Sequence, residues 1–186
     1  MGPSTKIWLV TLNQGHSMVE TTFSGIWTET LMAAASNTNE YDQYYTVFQC
    51  NDEPDRFAMI LGNSSIDTSL EDQMTGDKPL SRLMEFITIR ELFHLDIDAH
   101  ELPLDLDKIA ILFSESQPKD SDSFPGKGEW GVSTSWFGAK HDASKPEKKT
   151  WIHVASSENA DQLSQAGDIK NFSKILESHI ASQTAE

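Results

Sequence analysis

Apolar and polar residues alternate along the stretch from Arg90 to His100, and the rest of the predicted fold is organised around it. The alternation separates two sets of side chains, the apolar Phe93, Leu95 and Ile97 and the polar His94, Asp96 and Asp98. Because successive side chains of a β-strand point to opposite sides of the sheet, a period of two predicts a half-buried strand. We expect its apolar face to pack against helices, which leaves the polar face directed into a cavity or into water.

The first hundred residues carry the pattern of a ferredoxin-like unit, in the order β-α-β-β-α-β. Predicted strands cover residues 6–12, 45–50 and 56–61 and the alternating stretch, and predicted helices cover 18–35, 65–73 and 79–87. We expect Ser17 to cap the first helix and the turn residues 51–55 to close a hairpin.

The second half begins with a predicted strand at 108–114, and a polar loop at 115–128 follows that could act as a lid. Further strands are predicted at 130–137 and 150–155, and helices at 157–163 and 168–180. In this half the loop 115–128 therefore takes the place of the first helix, and no strand is predicted after the last helix.

Three short segments of the first half recur in order in the second half, which indicates an internal duplication. The matched pairs are Ile60–Ser65 with Ile152–Ser157, Gly76-Asp77 with Gly167-Asp168, and Leu80–Glu85 with Phe172–Glu177. We predict an α+β fold of two ferredoxin-like halves, residues 1–101 and a degenerate copy at 102–186, packed as one α/β barrel with its helices outside. Since the second copy lacks its last strand, a second subunit could cover the open edge in a homodimer.

Composition restricts the partners and the compartment. The chain has 186 residues, with 29 Asp and Glu against 14 Lys and Arg, and a formal net charge of −15. Such a charge disfavours nucleic acid and anionic membrane surfaces as partners. The single cysteine, Cys50, fits a reducing compartment, and neither an apolar run of about 20 residues nor a signal sequence is evident. We expect a cytoplasmic protein.

The order of elements, together with the run Glu91-Leu-Phe-His-Leu-Asp96, resembles the dimeric α/β-barrel superfamily. Within it, the chain is similar to fungal proteins with two fused ferredoxin-like halves, related to antibiotic-biosynthesis-monooxygenase-like and stress-responsive barrel domains. The resemblance implies an apolar cavity of the size of a small substrate and chemistry without a cofactor. Members include monooxygenases of polyketide quinols, polyketide cyclases, decarboxylases and other lyases, so the resemblance leaves the reaction open.

Strand parity assigns candidate catalytic residues to that cavity. If Phe93 and Leu95 face the helices, His94 and Asp96 face the cavity, and the same reasoning brings His153 to it. We interpret His94 as the general base or acid, Asp96 as its orienting group or a second acid, and His153 as a partner or oxyanion stabiliser, because imidazole titrates near neutral pH. The same side chains would form a solvated strand face if no cavity adjoins them.

The predicted wall of the cavity is aromatic and aliphatic. It consists of Trp8, Met59, Leu61, Trp136 and Trp151. Because both faces of strand 6–12 are apolar, Ile7 and Leu9 are an alternative to Trp8 on this wall. Three of the other histidines, His16, His141 and His179, are interpreted as structural, since each lies at a turn, in a charged loop or near the end of a predicted helix. His100 is interpreted as part of a solvated strand end.

These features predict a cofactor-independent lyase or cyclase acting on a small apolar substrate of polyketide or terpenoid type, with no metal. A cofactor-independent monooxygenase of an aromatic polyketide is the first alternative, since oxygenation needs only a substrate carbanion and O₂. A non-catalytic ligand-binding or stress-responsive barrel is the second. A third, an Fe(II) oxygenase with a His94-x-Asp96…His153 triad, is disfavoured because evenly spaced strands are not evident and no arginine follows Arg90.

Overall fold

The computed structural model describes residues 4–35, 41–63, 79–95, 97–114, 130–134, 149–159 and 167–181. Its strands are β1 (Thr5–Leu12), β2 (Gln43–Cys50), β3 (Arg56–Gly62), β4 (Ile87–Leu95), β5 (Lys108–Ser114), β6 (Trp130–Thr134), β7 (Lys149–Ser156) and β8 (Asp168–Ile180). Its helices are α1 (Thr21–Ala35) and α2 (Pro79–Phe86), with 3₁₀ turns at Ala99–Glu101 and Ser157–Asn159. The predicted helix at 65–73 and the predicted lid at 115–128 lie outside the described residues. Neither α1 nor α2 has the length and apolar composition that would let it cross a membrane.

All eight strands form one antiparallel sheet in the order β4-β1-β3-β2-β8-β5-β7-β6. In each half the fourth strand lies beside the first, followed by the third and the second, which is the ferredoxin-like order. The sheet curls until its edge strands β4 and β6 lie near each other. The predicted α+β barrel of two ferredoxin-like halves is therefore the observed fold.

The prediction of a helix at 168–180 is wrong, because this segment is strand β8, paired with β2 on one side and β5 on the other. Its apolar residues imitate helical spacing because a β-bulge interrupts the strand. Val47 pairs with Leu176 and Phe48 with Lys174, so Ile175 is the extra residue. The bulge shifts the parity, and Phe172 and Leu176 consequently face opposite sides of the sheet.

Strand β8 also overturns two dependent expectations. It supplies the fourth strand of the second half, so the open edge from which a homodimer was predicted is covered within the chain. The match of Leu80–Glu85 with Phe172–Glu177 pairs a helix with a strand and does not reflect structural equivalence. Ile60 and Ile152, by contrast, both face the barrel interior from the third strand of their halves.

The two faces of the sheet pack against different partners. On the outside of the first half, α1 and α2 cover a helix-side core that includes Trp8, Phe23, Trp27, Tyr45, Phe57, Met59, Leu61, Leu83 and Leu92. The inside of the barrel holds an interior core that includes Ile7, Phe48, Ile60, Phe93, Leu95, Ile109, Ile111, Ile152, Val154 and Phe172, nearly all fully buried. Side chains therefore fill the barrel at these positions.

The parity assumed for the central strand is wrong, because its alternating apolar residues face the barrel interior and not the helices. Between β1 and β4 the register shifts at Leu9 and Val10, which leaves Arg90 as an extra residue. As a result Ile89 and Leu92 face the helices, whereas Phe93 and Leu95 belong to the interior core. The strand ends at Leu95, and the Asp98 carboxylate then caps a 3₁₀ turn by accepting a hydrogen bond from the backbone N–H of His100 at 3.1 Å.

Candidate functional site

The predicted catalytic histidines lie on the outer face of the sheet. His94 pairs with Lys6 at one end of β4 and is exposed. His153 pairs with Leu112, whose strand neighbours Ile111 and Phe113 point into the interior core, so the imidazole points outward. The expectation that both histidines line the barrel interior is therefore wrong, while Asp96 lies outside the described residues.

His153 is nevertheless buried, with 2% of its surface exposed. Burial removes the imidazolium from water, and this desolvation lowers the pKa of His153 from 6.5 to about 4. The ring is consequently neutral at physiological pH and suits a packed position in the protein better than a proton shuttle to solvent.

The residues predicted to line the cavity lie in different parts of the structure. Trp8, Met59 and Leu61 belong to the helix-side core and are at most 1% exposed, so the alternative pair on β1, Ile7 and Leu9, faces the interior. Trp151 is partly buried on β7, and Trp136 lies outside the described residues. Both faces of β1 are apolar, so its sequence alone does not distinguish the two assignments.

A different site lies at the rim of the helix-side core, where a pocket of about 260 Å³ opens between the two halves. We call it the side pocket. It is lined by Leu12, His16, Ser17, Met18, Val19, Gln49, Pro54, Phe57, Ile175 and Leu176. These residues come from the end of β1, the turn before α1, the β2–β3 hairpin and the bulge of β8, so both halves build the pocket. Its volume lies near the lower end for small-molecule sites.

The turn after β1 places His16 in the side pocket. Gly15 adopts a positive φ of 88°, a conformation that glycine tolerates best, and the backbone N–H of His16 donates to the carbonyl of Asn13 at 3.2 Å. The His16 ring packs at a tilt against Phe86, with 4.4 Å between ring centroids. One side of the imidazole therefore rests on the helix-side core, and the ring has a fixed support.

A carboxylate stands beside this imidazole. His16 Nδ1 lies 3.6 Å from Glu20 Oε2, and the nitrogen itself is buried although the side chain as a whole is 34% exposed. The other oxygen of Glu20 accepts a hydrogen bond from the backbone N–H of Ser17, and the Glu20 N–H donates to the Ser17 carbonyl at 3.2 Å. Backbone groups therefore hold the Glu20 carboxylate in place beside the imidazole.

Two further polar groups line the side pocket. The Ser17 hydroxyl oxygen accepts from the backbone N–H of Val19 at 3.3 Å, and the Gln49 amide donates to the Pro54 carbonyl at 2.8 Å. A pocket with apolar walls and an imidazole, a hydroxyl and an amide has the composition of a small-molecule site.

Ion pairs tie the hairpin wall of the side pocket to β8. Lys170 Nζ lies 2.6 Å from Glu53 Oε1, and Arg56 Nε lies 2.7 Å from Glu53 Oε2. The hydrogen bond to Lys170 lowers the pKa of the Glu53 carboxyl and raises that of the Lys170 ammonium. Both shifts favour the charged pair, which holds the hairpin in register with the second half.

Metal chemistry has no candidate ligand set in the described part of the chain, where no three His, Cys, Asp or Glu side chains converge. The predicted His94-x-Asp96…His153 triad is not tested by this finding, because Asp96 lies outside that part.

Sequence reasoning missed the His16–Glu20 pair, although a signal for it exists. Ser17-Met-Val-Glu20 has the form of a capping box, in which the glutamate side chain returns to the backbone of the serine. That motif fixes Glu20 four residues after His16, at a junction of strand and helix where pockets commonly open. The interpretation of His16 as structural considered the turn alone.

No family model matches the chain, and no curated protein matches it in sequence. Two similar solved structures have the same identity and TM-score. A "putative monooxygenase" from Lactobacillus acidophilus is 13% identical, with a TM-score of 0.47 over 100% of both chains. An anthrone oxidase-like protein is 13% identical, with a TM-score of 0.47 over 100% of this chain and 96% of that one. A "putative chlorite dismutase" has 8% identity and a TM-score of 0.49 over 95% of this chain and 96% of its own. Likenesses this distant carry no argument about activity.

Proposed function

We propose that the protein is a cofactor-independent enzyme that binds a small, largely apolar molecule in the side pocket and moves a proton on it through His16. The observation that supports this proposal is that His16 lines a pocket with mostly apolar walls and has the Glu20 carboxylate 3.6 Å from its Nδ1. An imidazole with an adjacent carboxylate is a common arrangement for general acid–base catalysis.

The proposed reaction is of the lyase or cyclase type. With Nδ1 turned toward Glu20, the other ring nitrogen, Nε2, accepts a proton from an acidic C–H or O–H of the bound molecule. Glu20 stabilises the imidazolium, and the same proton returns to another atom when a bond closes or a leaving group departs. The Ser17 hydroxyl is positioned in the pocket to donate to an oxyanion that develops on the substrate.

Monooxygenation is the alternative chemistry for the same pocket. A carbanion made by proton removal can react with O₂ directly, so that a methylene becomes a carbonyl while O₂ is reduced and one water is released. This reaction needs no residue beyond those that perform proton transfer, and the geometry fits it as well as it fits a lyase.

A non-catalytic ligand-binding barrel is the second candidate function. The interior core supports this candidate, because in the described part of the chain the residues that face the barrel interior, such as Ile111, Val154 and Phe172, are buried and apolar and supply no acid or base. In that case the side pocket binds a ligand and His16 serves only to recognise it.

The constellation of His94, Asp96 and His153 stays a separate, less favoured proposal, because His94 is exposed and His153 is buried and neutral on the outer face of the sheet. A cytoplasmic location, a small apolar substrate and a possible homodimer stay predictions.

Anthrone in D₂O tests the proposal, since this uncharged molecule has an acidic methylene and its carbanion reacts with O₂. Exchange of the methylene protons is followed by NMR and O₂ uptake by electrode. We expect enzyme-dependent exchange that His16→Gln slows on the order of 10²–10⁴-fold, the usual contribution of general acid–base catalysis. The matched control is His94→Gln, an exposed histidine outside the side pocket.

The outcomes separate the candidates. Exchange without O₂ uptake supports proton-transfer chemistry, and stoichiometric formation of anthraquinone and water supports monooxygenation. If anthrone and a panel of uncharged one- to three-ring carbon acids bind saturably but undergo neither reaction, the result supports a ligand-binding barrel. If His94→Gln abolishes exchange while His16→Gln leaves it intact, the site is the one predicted from sequence and the present proposal is wrong.

A further inference from the structure

The bulge of β8 presents two consecutive aliphatic side chains to the side pocket. In a regular strand neighbouring residues point to opposite faces, but the register shift at Val47 and Phe48 makes Ile175 an extra residue. Ile175 and Leu176 consequently both line the pocket, and Leu176 also packs against the helix-side core. A residue of the second half thereby reaches a pocket built largely by the first.

Exposed aliphatic surface is concentrated at the mouth of this pocket. In the described part of the chain the large hydrophobic residues that are exposed are Val19 (91%), Met32 (69%) and Ile175 (38%). Val19 and Ile175 both line the side pocket, whereas Met32 lies on α1 away from it. Leu12, Phe57 and Leu176 continue the apolar surface inward, so the mouth and the pocket form one path.

We propose that Val19 and Ile175 form an apolar mouth that binds an uncharged alkyl or aryl extension of the ligand, and so select molecules longer than the pocket. This inference rests on the proposed function, since it assumes that a small molecule occupies the side pocket. The ligand class is then an uncharged head that reaches His16, carrying an apolar tail that leaves between the two mouth residues. The net charge of −15 disfavours an anionic tail.

A homologous series of 4-alkylphenols, from 4-methylphenol to 4-octylphenol, tests the mouth separately from the pocket. The phenol head supplies a group that can exchange a proton with His16, and only the tail length varies. Binding is measured by calorimetry and by the NMR shift of the His16 imidazole. We expect the affinity of the wild-type protein to rise about fourfold for each added methylene while the tail is buried.

The test variant combines Val19→Thr with Ile175→Thr, which keeps β-branched side chains at both exposed positions and so preserves the fold. We expect it to lose about tenfold in affinity for 4-octylphenol, the loss of one to two methylene increments, and a smaller factor in affinity for 4-methylphenol, which has no tail to reach the mouth. The matched control is Met32→Gln, which removes exposed apolar surface outside the pocket and should leave every affinity unchanged. Equal melting temperatures establish that all three proteins are folded.

Each result decides one claim. If short and long phenols bind and the double variant weakens all of them equally or none of them, the mouth proposal is wrong and the pocket stands. If no phenol of any length binds the wild-type protein and none shifts the NMR signal of the His16 imidazole, the proposed site itself is wrong. A loss for long phenols in Met32→Gln that equals the loss in the double variant would show nonspecific adsorption to apolar surface, which also overturns the proposal.

Discussion

The barrel interior and the side pocket are built from the same strands but differ in how completely side chains fill them. The interior core consists largely of branched aliphatic residues, and Ile111 and Val154, for example, are fully buried. Among the described residues of this core, Cys50 and Tyr44 are the titratable ones. The side pocket lies where the helices that cover the first half end, and it is lined by the imidazole of His16, which has a carboxylate beside it. The pocket that carries polar groups therefore lies at the edge of the helix layer and not in the barrel interior.

The sharpest test of this difference compares the same substitution in the two regions. Ile111→Ala removes a fully buried side chain from the interior core, and we expect it to lower the free energy of unfolding by about 2–5 kcal/mol. Ile175→Ala removes a 38% exposed side chain from the pocket mouth, and we expect a loss of about 0.5 kcal/mol. Urea denaturation at neutral pH measures both.

The same pair sharpens the functional assignment. Folded Ile111→Ala should retain the affinity of the side pocket, whereas Ile175→Ala should weaken the binding of long alkylphenols. Equal losses of stability in the two variants would contradict the description of the interior as the better-packed region.

The buried histidine of the outer face predicts a pH dependence of stability. The pKa of His153 is about 4 in the folded protein and near 6.5 in the unfolded chain. As the pH falls below 6.5, the unfolded chain binds a proton that the folded protein does not, so stability present at neutral pH is lost between about pH 6.5 and pH 4. The full shift corresponds to roughly 3 kcal/mol.

Replacing His153 with leucine should remove this part of the pH dependence. We expect the free energy of unfolding of His153→Leu to fall less steeply than that of wild type between pH 6.5 and pH 4, with parallel curves above pH 7. Denaturant unfolding at several pH values makes the comparison. Identical slopes in the acidic range would show that His153 is accessible to protons in the folded state.

How far the sequence predicts this structure depends on whether a strand is regular. Residue types, the hairpin signal and the period of two located β1, β2, β3 and the central strand, and the resulting barrel is correct. The prediction failed at β8, where the bulge at Ile175 shifts the parity, and on the central strand, whose apolar face was assigned to the helices although it lines the interior. The bulge in β8 also produced a spacing that imitates a helix.

The candidate site was lost for a related reason. Assigning His94 and His153 to the interior required the correct parity, and the structure places both on the outer face of the sheet. Pattern alone does not reveal whether a fully apolar face encloses a cavity or a packed core, because both are lined by the same residues. The Ser17–Glu20 capping box was readable and placed a carboxylate beside His16, but only the fold shows that a pocket adjoins it.

The roles of Glu20 can be separated by two substitutions. Glu20→Gln keeps an oxygen that can accept from the Ser17 N–H but removes the charge next to His16. We expect it to reduce proton exchange on anthrone about tenfold with little loss of stability. Glu20→Ala removes both functions and should additionally cost about 1 kcal/mol of stability, because the hydrogen bond to the Ser17 N–H is lost.

The readouts are the exchange rate and the free energy of unfolding for each protein. If Glu20→Gln retains the full rate while Glu20→Ala loses it, Glu20 acts only as a cap and does not assist His16 electrostatically.

The ion pair that ties the hairpin wall of the side pocket to β8 should have the smallest effect. Lys170 and Glu53 are both partly exposed, at 23% and 34%, so solvent screens their attraction and we expect the pair to contribute little to stability. Lys170→Met keeps the aliphatic stem of the side chain and removes the charge, and its effect should shrink further at 1 M salt because the Debye length there is about 3 Å. Calorimetric melting at low and high salt measures this loss. A salt-independent loss of several kcal/mol would mean that the pair is effectively buried, and the side pocket would then be as firmly packed at its hairpin wall as the barrel is in its interior.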